Sequence, residues 1–377
     1  MNINGKISLN LDYRKISPTW IVGFLLGIPV AYPNQPYYIG VLLFIILLKN
    51  FKLQSDRKFA FRMVLTSLLI LIAILSNLVG FVKNQVDFIR AISTSFFFII
   101  FLFPYCIRNK LYLIKGFCVA MTLWSLMIIV FAVKLKIFEN GLLLFSVPEL
   151  RLWGSEFFPD WPNYFSFMLA VAFLLNAIIN KNYLSSVLNI IAAILTTSRT
   201  PLIAMFIFLI ILLIEYMKLV KNTKIIMGLL SILIINIIIL LNGINIEYDY
   251  NFLDRLLIME DREEIYNFSL DLIKNSPLLG HGGILLDEST GFYGHPSFHN
   301  SYLDVAVRHG ILALILFLIL LAPIKINLNK ENYKIILILL FFLIGSMFQN
   351  FLKHPHLLML FLVIREANVF ITSKKSE

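Results

Sequence analysis

Apolar runs separated by short polar or charged connections make up most of the chain. A helix needs about 20 residues to cross a hydrocarbon core of roughly 30 Å, and several of the runs approach this length. The pattern therefore predicts an all-α polytopic membrane protein in which residues 1–377 form a single integral membrane domain. We expect about 12 transmembrane helices, at 18–31, 37–48, 62–81, 91–106, 112–133, 164–180, 183–198, 200–217, 225–242, 301–322, 335–351 and 357–372.

The composition agrees with this membrane assignment. Apolar residues make up 59% of the chain, the mean hydropathy is +0.85, and charged residues make up 14%. Soluble globular proteins carry about 25% charged residues, so an ordinary soluble protein is excluded. Cys106 and Cys118 lie in or beside apolar runs and lack metal-ligand spacing. Neither a disulfide framework nor a zinc site is expected.

The net charge of +10 is informative through its distribution along the chain. Connections that share a side with the N-terminus carry most of the 32 Lys and Arg residues. The positive-inside rule therefore places both termini in the cytoplasm. The opposite side then holds a medium loop, 134–163, and a long acidic loop, 243–300, which retains Arg255 and Arg262. This asymmetry indicates a protein that acts at its outer face rather than on nucleic acid.

The first place where chemistry is expected is the polar connection at 196–201. Arg199 falls between two apolar runs, Pro201 suits the first turn of the second helix, and Ser198 or Thr200 suits its cap. Unpaired N–H groups and the positive end of the helix dipole would lie beside the guanidinium, which favours a phosphate. The alternative is an interfacial arginine whose side chain simply extends to water.

The second place is the stretch 261–273 in the long loop, which predicts a short amphipathic helix. Its apolar side chains would lie on the membrane or on the helix bundle and would hold Arg262 near the interface; they are Ile265, Tyr266, Phe268 and Leu272. The alternative is that Arg262 pairs with Asp261, Glu263 or Glu264 on a solvated face.

The third place is 296–304, where the long loop returns to the membrane. Asn300 or Ser301 can cap the next helix, and Ser301-x-x-Asp304 matches a capping box. His299 would then stand at or just before a helix N-terminus, where the dipole disfavours the imidazolium. A neutral imidazole can accept a proton from a sugar hydroxyl. A purely structural histidine is the alternative; His281, in what resembles a flexible turn at 280–283, is a weaker candidate, as is His295.

Other recognisable sites are few. The sequence has no Walker loop, His-Glu-x-x-His pair or Gly-x-Ser-x-Gly elbow, and Glu247-Tyr248-Asp249 is only a weak acidic pair, so we expect neither a metal nor a cofactor. Trp161, in the medium loop at 156–163, offers a stacking face for a sugar, although this Pro-rich stretch also suits a membrane-surface anchor.

Taken together, the three polar sites resemble the O-antigen ligase and O-antigen polymerase family of bacterial membrane glycosyltransferases. The matching elements are Ser198-Arg199-Thr200, Arg262 at the start of a helix that runs to 275–280, and His299-Asn300 followed after nine residues by Gly310. The similarity covers roughly 150–322. Tyr266 stands where many relatives have tryptophan, and Ala313 where a glycine is frequent.

The resemblance implies a fold like that of C-type membrane glycosyltransferases in the bacterial inner membrane. Its members take a glycan from undecaprenyl pyrophosphate at the periplasmic face and join it to an acceptor hydroxyl. Carried over to this sequence, the catalytic residues are His299, Arg199 and Arg262. The residues expected to bind substrate are Arg199, Arg262, Arg255, Asn300, Tyr266 and Trp161. Transfer with inversion, without a metal, is the expected chemistry.

Two activities within the family and one outside it remain open. A ligase moves the polymer to the lipid A core, whereas a polymerase moves a growing chain to another carrier-linked repeat unit. The spacing from His299-Asn300 to Gly310 is closer to the ligase pattern. A secondary transporter is the third possibility, with Arg365-Glu366 as an intramembrane pair. Against it, the central connection is only the stretch 180–183, whereas such transporters often have a long one.

Overall fold

The computed structural model describes residues 17–28, 57–84, 95–107, 109–139, 162–196, 200–217, 262–282, 298, 300–322, 332–347 and 354–373. All regular secondary structure in these residues is helical, which confirms the all-α prediction. The α-helices are α1 (Pro18–Leu26), α2 (Arg57–Asn84), α3 (Lys110–Glu139), α4 (Pro162–Leu175), α5 (Tyr183–Leu195), α6 (Thr200–Met217), α7 (Arg262–Asn275), α8 (Ser301–Leu321), α9 (Asn332–Gly345) and α10 (Pro355–Ser373). A 3₁₀ helix, η1, covers Phe96–Cys106.

Most of the expected spans coincide with these helices. Three helices are long and apolar enough to cross a membrane, at Arg57–Val79, Lys110–Val133 and Ser301–Leu321, and the other apolar helices of the described part are shorter. The expected spans 37–48 and 225–242 lie outside the described residues. The total of twelve therefore stays a prediction, as do the cytoplasmic termini and most of the two outer loops. The short helix expected at 261–273 is present as α7.

Two expected helices depart from regular α geometry. The run expected at 91–106 forms the 3₁₀ helix η1, which contains Pro104. Proline lacks the N–H that an α-helix needs, and consecutive aromatic and β-branched residues lower the helix propensity further. The run expected at 164–180 changes from α4 to a π-helical turn at Asn176–Asn180, and Lys181 then takes a left-handed backbone with φ 53°. The next helix starts at once, capped by the Asn182 side chain, which accepts from Ser185 N.

Helix α4 lies at the centre of the bundle. Every residue from Tyr164 to Ala177 is buried, as expected of a helix that is apolar on all sides. It packs against α5, α6, α3 and α9. By contrast, α2 leaves large apolar side chains such as Phe61, Val64 and Leu71 exposed. In a membrane this face of α2 would meet lipid.

The C-terminal end of α8 is held by two buried arginines from other helices. Arg62 of α2 donates through Nη1 to the carbonyl oxygens of Ile319 (2.7 Å) and Leu320 (2.9 Å). Arg365 of α10 also donates to the Leu320 carbonyl, and its Nη2 pairs with Glu366 Oε1 at 2.7 Å. Cations suit the carbonyl end of a helix. The Arg365–Glu366 pair, which the transporter alternative interprets as an intramembrane ion pair, is therefore part of this helix cap.

Candidate functional site

The structure describes only part of the set of residues singled out from the sequence. Tyr266 and Asn300 are described with their side chains, and Arg262 is described as the first residue of α7. Arg199, Arg255, His299 and Trp161 lie outside the described residues. The structure describes the scaffold that adjoins Arg199, Arg262 and His299: the end of α5 before Arg199, the start of α7 at Arg262, and the start of α8 after His299.

Asn300 is the N-cap of α8. Its backbone is extended (φ −145°, ψ 118°), and its Oδ1 accepts from the backbone N–H groups of Tyr302 (2.9 Å) and Leu303 (3.1 Å). Of the two caps considered from the sequence, Asn300 is the one used. Asp304 is therefore at the fourth helical position rather than the third, so the Ser301-x-x-Asp304 capping box is wrong. The Asp304 carboxylate instead pairs with Arg308 Nε at 3.0 Å.

The starts of α7 and α8 are attached to the same short segment at the end of α9. The Tyr266 hydroxyl donates to the Met347 carbonyl oxygen at 3.1 Å. The Ser301 backbone N–H donates to the neighbouring Ser346 carbonyl oxygen at 2.8 Å. Tyr266 lies one turn after Arg262, and Ser301 lies two residues after His299. Both helices thus begin at one end of α9.

An apolar cluster joins α7 to the first two turns of α8. Ile265, Phe298 and Val307 form its buried centre, and partly buried side chains packed around it are Tyr266, Phe268, Leu272, Ile273 and Leu303. The sequence left open whether the apolar face of this helix rests on the membrane or on the bundle. In the structure that face packs on the bundle, and α7 runs in the same direction as α8.

The chain after α7 closes onto a kink in α8. Gly310 has φ 81° and ψ 175°, a non-helical conformation inside α8. The freed Ile311 N–H donates to the Pro277 carbonyl oxygen at 2.7 Å, and Gly282 N–H donates to the Arg308 carbonyl oxygen at 2.8 Å. A Cβ on Gly310 would overlap the Leu278 backbone, and one on Gly280 would overlap that of Arg308. We call this contact between 276–282 and 307–311 the glycine clasp.

The glycine clasp corrects one interpretation of the sequence. The stretch at 280–283 was expected to be a flexible turn, but His281 is fixed at both backbone and side chain. Its backbone N–H donates to the Val307 carbonyl oxygen at 2.9 Å. Its Nε2 lies 2.7 Å from the Leu272 carbonyl oxygen, which can only accept, so Nε2 carries the proton. His281 therefore ties the end of α7 to α8.

The connection that carries Arg199 starts from an anchored helix end. Thr196 follows α5 and its Oγ1 donates to the Ala193 carbonyl oxygen at 2.6 Å. The same carbonyl accepts from Ser166 Oγ of α4 at 3.3 Å. Helix α6 begins at Thr200, which places Pro201 in its first turn as expected. Only residues 197–199 separate the described parts of α5 and α6.

Residues near the start of α4 contact both the end of α5 and the end of α9. One residue after Ser166, Phe167 stacks on Phe341 of α9 with ring centroids 4.9 Å apart. Gly345 of α9 lies so close to Phe167 that a Cβ would overlap its ring. We call the end of the bundle formed by 164–167, 193–196, 300–302 and 345–347 the upper rim. The segments that adjoin Arg199, Arg262 and His299 all meet there.

A group of three rings that the sequence analysis did not single out also lies at the upper rim. Tyr164 stacks on His354 with ring centroids 3.8 Å apart, and His356 meets the edge of Tyr164 at 5.0 Å. His356 is buried and is the second residue of α10, after Pro355. The signal available in the sequence was the pair His354-Pro-His356 at the start of the last apolar run. In the part of the chain that is described, no three potential ligands are arranged to hold a metal ion.

Comparison with known proteins gave a family match for part of the chain. Residues 184–318 match the family described as O-antigen ligase, a segment that runs from α5 to near the end of α8 and contains the glycine clasp. A search of curated proteins found no match. The match confirms the resemblance noted from the three polar sites: residues 184–318 of this chain are similar to the O-antigen ligase family.

Proposed function

We propose that this protein is an O-antigen ligase-type glycosyltransferase of the bacterial inner membrane. It would transfer a polysaccharide from undecaprenyl pyrophosphate to the lipid A core at the periplasmic face. The observation that carries the proposal is the common attachment of the α7 and α8 starts to Ser346 and Met347, within a family match that spans both helices. Arg262 and His299 stand next to these anchored positions in the sequence.

The proposed chemistry divides between binding the donor and accepting a proton. Arg199 and Arg262 bind the diphosphate and stabilise the negative charge that develops as the glycosidic bond breaks. His299 accepts the proton of the attacking acceptor hydroxyl. The acceptor oxygen forms the new bond to the anomeric carbon opposite the departing undecaprenyl diphosphate, so the configuration inverts. No metal ion or other cofactor is required in this scheme.

The remaining candidates would contact substrate around these three residues. Arg255 would add positive charge near the diphosphate, and Trp161 would offer a stacking face to a sugar. The Tyr266 hydroxyl and Asn300 Oδ1 already bind backbone groups. Asn300 would therefore use its amide Nδ2 toward a ligand, and Tyr266 would use its ring. Membrane lipids complete the surroundings of the polyprenyl chain.

The test is transfer of glycan from undecaprenyl pyrophosphate to core lipid A by membranes that contain the full chain. Arg199→Ala and His299→Ala should each abolish transfer while the protein accumulates normally. Lys274→Ala is the control, because Lys274 is an exposed basic residue whose partner among the described residues is Asp271, at the far end of α7. Near-normal transfer by either site variant would falsify the assignment.

A polymerase that joins carrier-linked repeat units is the alternative within the family. Two differences from the residues frequent in the family, Tyr266 and Ala313, are the observations that leave a polymerase activity open. Lipopolysaccharide from a deletion strain separates the two activities. Free carrier-linked polymer with a bare core identifies a ligase, whereas a core that bears a single repeat unit identifies a polymerase. Coupled uptake of labelled sugar into vesicles would instead indicate a transporter.

A further inference from the structure

The rings of Tyr164, His354 and His356 pack together at the upper rim. Tyr164 is 1% exposed, and its two neighbours hold it from different sides: the His354 ring stacks on its face at 3.8 Å, and the His356 ring meets its edge at 5.0 Å. The His354 carbonyl oxygen accepts from Leu357 N–H at 2.9 Å, which fixes the residue before α10. Of the three rings, only that of His354 is partly exposed. The three rings therefore present one ring outward on a support built from α4 and α10.

His356 brings a polar atom into this aromatic cluster. The residue is 2% exposed, and its Nε2 is buried without a hydrogen-bond partner among the described residues. A buried polar atom is costly until a partner reaches it. A hydroxyl both donates and accepts, so it satisfies a neutral imidazole nitrogen in either tautomer. An unprotonated phosphate oxygen satisfies the nitrogen only when that nitrogen carries the proton.

The contacts of α4 place the three rings beside the connection that carries Arg199. Two residues after Tyr164, Ser166 Oγ donates to the Ala193 carbonyl oxygen at 3.3 Å. Thr196 Oγ1 donates to the same oxygen at 2.6 Å, three residues before Arg199. Arg199 is proposed above to bind the diphosphate of the donor. The glycan joined to that diphosphate would therefore lie on the same side of the upper rim as the three rings.

We propose that Tyr164, His354 and His356 form a subsite for one sugar of the donor glycan. The C–H face of the sugar packs on the outer face of the His354 ring. A rotation of that ring opens His356 Nε2 to a hydroxyl of the same sugar, and the two imidazole centroids are 6.2 Å apart, a separation that one sugar residue can span. Aromatic surface with one polar group suits an uncharged ring. This inference rests on the proposed function, since it takes the donor to be a lipid-linked glycan.

The experiment measures sugar binding apart from transfer. Donor glycan is released from undecaprenyl pyrophosphate by mild acid, and its Kd for the full-length protein in detergent is measured by isothermal titration, with free core oligosaccharide as the second probe. His354→Ala removes the partly exposed ring, whereas His354→Phe keeps a ring. His356→Phe removes Nε2, whereas His356→Gln keeps a polar group near its position. Tyr183→Ala is the control, because Tyr183 is exposed at the start of α5, and the upper rim is at the other end of that helix.

His354→Ala should weaken binding of the released glycan by about 3- to 10-fold, the range expected for one aromatic contact. His354→Phe should stay within about twofold of the parent protein, because the stacking surface remains. His356→Phe should weaken binding by about fivefold, within what one hydrogen bond contributes, and His356→Gln should restore part of the affinity. Tyr183→Ala should match the parent protein, and both His354 variants should keep its thermal unfolding midpoint to within a few degrees.

Several results would overturn the inference. It fails if the parent protein does not bind the released glycan, or if His354→Ala binds it as well as the parent protein does; the three rings would then only join α4 to α10. Equal affinities of His356→Phe and His356→Gln, or failure of His356→Phe to accumulate, would exclude the hydrogen bond to Nε2. Binding of core oligosaccharide in place of the donor glycan would assign the subsite to the acceptor. Failure of the proposed function is a distinct outcome, in which the released glycan binds as expected but no glycan is transferred.

Discussion

The Ile311 backbone N–H donates to the Pro277 carbonyl oxygen at 2.7 Å, and this bond joins the chain after α7 to the kink in α8. It exists because Gly310 leaves the helical conformation and frees that N–H. The two sequence motifs that flank it, one after Arg262 and one after His299, are therefore parts of one structural unit. The fixed number of residues between His299-Asn300 and Gly310 sets how far the start of α8 lies from the glycine clasp.

Gly310→Ala should destabilise the protein by about 2 kcal/mol or more. The φ of 81° is unfavourable for a residue with a Cβ, and the added methyl group would overlap the Leu278 backbone. We expect a lower thermal unfolding midpoint in detergent and less protein in membranes. Leu312→Ala is the control, since Leu312 is exposed on the same helix. Equal stability of Gly310→Ala and the parent protein would mean that the glycine clasp contributes nothing.

Asn300→Ala should cost about 1 kcal/mol of stability, because the two N–H groups of Tyr302 and Leu303 lose their acceptor. Asn300→Asp should retain most of that stability, since aspartate is an equally good N-cap. Thermal unfolding of the three proteins in detergent tests the comparison. The assignment of the cap fails if alanine and aspartate at this position are equivalent.

Tyr266→Phe should lower stability by about 1 kcal/mol and slow glycan transfer by a few fold. The change removes the hydroxyl that holds the start of α7 to the Met347 carbonyl oxygen and leaves the ring in place. Transfer assays and thermal unfolding provide the two measurements. Tyr183→Phe is the control, because Tyr183 is exposed at the start of α5. No effect of Tyr266→Phe on either measurement would show that this bond does not support the site.

Glu366→Gln should reduce the amount of folded protein more than any single change proposed above. Arg365 is buried and pairs with Glu366, so neutralising the carboxylate leaves a buried positive charge beside Arg62. Breaking a buried pair in this way costs about 3–5 kcal/mol. Quantitative membrane immunoblots and thermal unfolding measure the effect. Unchanged protein level would contradict the interpretation that this pair is part of the α8 cap.

The sequence predicts helix positions well where apolar runs are long and uninterrupted. The boundaries of α6 and α8 follow from their flanking polar residues, and α7 follows from the spacing of Ile265, Phe268 and Leu272. The kink at Gly310 is not predictable in this way, because its cause is a contact with a segment about thirty residues earlier in the chain. The 3₁₀ geometry of Phe96–Cys106 is likewise hidden in an apolar run that suits any buried helix.

At the start of α8, local signals identified two candidate N-caps but could not decide between them. Asn300 and Ser301 are both residue types that suit an N-cap. In the structure the Ser301 backbone N–H instead donates to the carbonyl oxygen of Ser346, just after α9. Because α8 begins one residue earlier than the capping box requires, Asp304 lies at its fourth position. The Asp304 carboxylate pairs with Arg308 there. The Tyr164, His354 and His356 group was missed because Tyr164 lies in α4, far along the chain from the His354-Pro-His356 pair.

The proposed function requires Arg199, Arg262 and His299 to gather at the periplasmic end of the bundle. Cross-linking tests it most directly, in a full-length protein whose Cys106 and Cys118 are replaced by serine. Cysteine pairs at 199 with 299 and at 262 with 299 should be joined by a short bifunctional thiol reagent, and a membrane-impermeant thiol reagent applied from the periplasm should block the reaction. A control pair at 199 with 322 should not join, since Ala322 follows the other end of α8. Absence of both cross-links, or blocking only from the cytoplasm, would contradict the account.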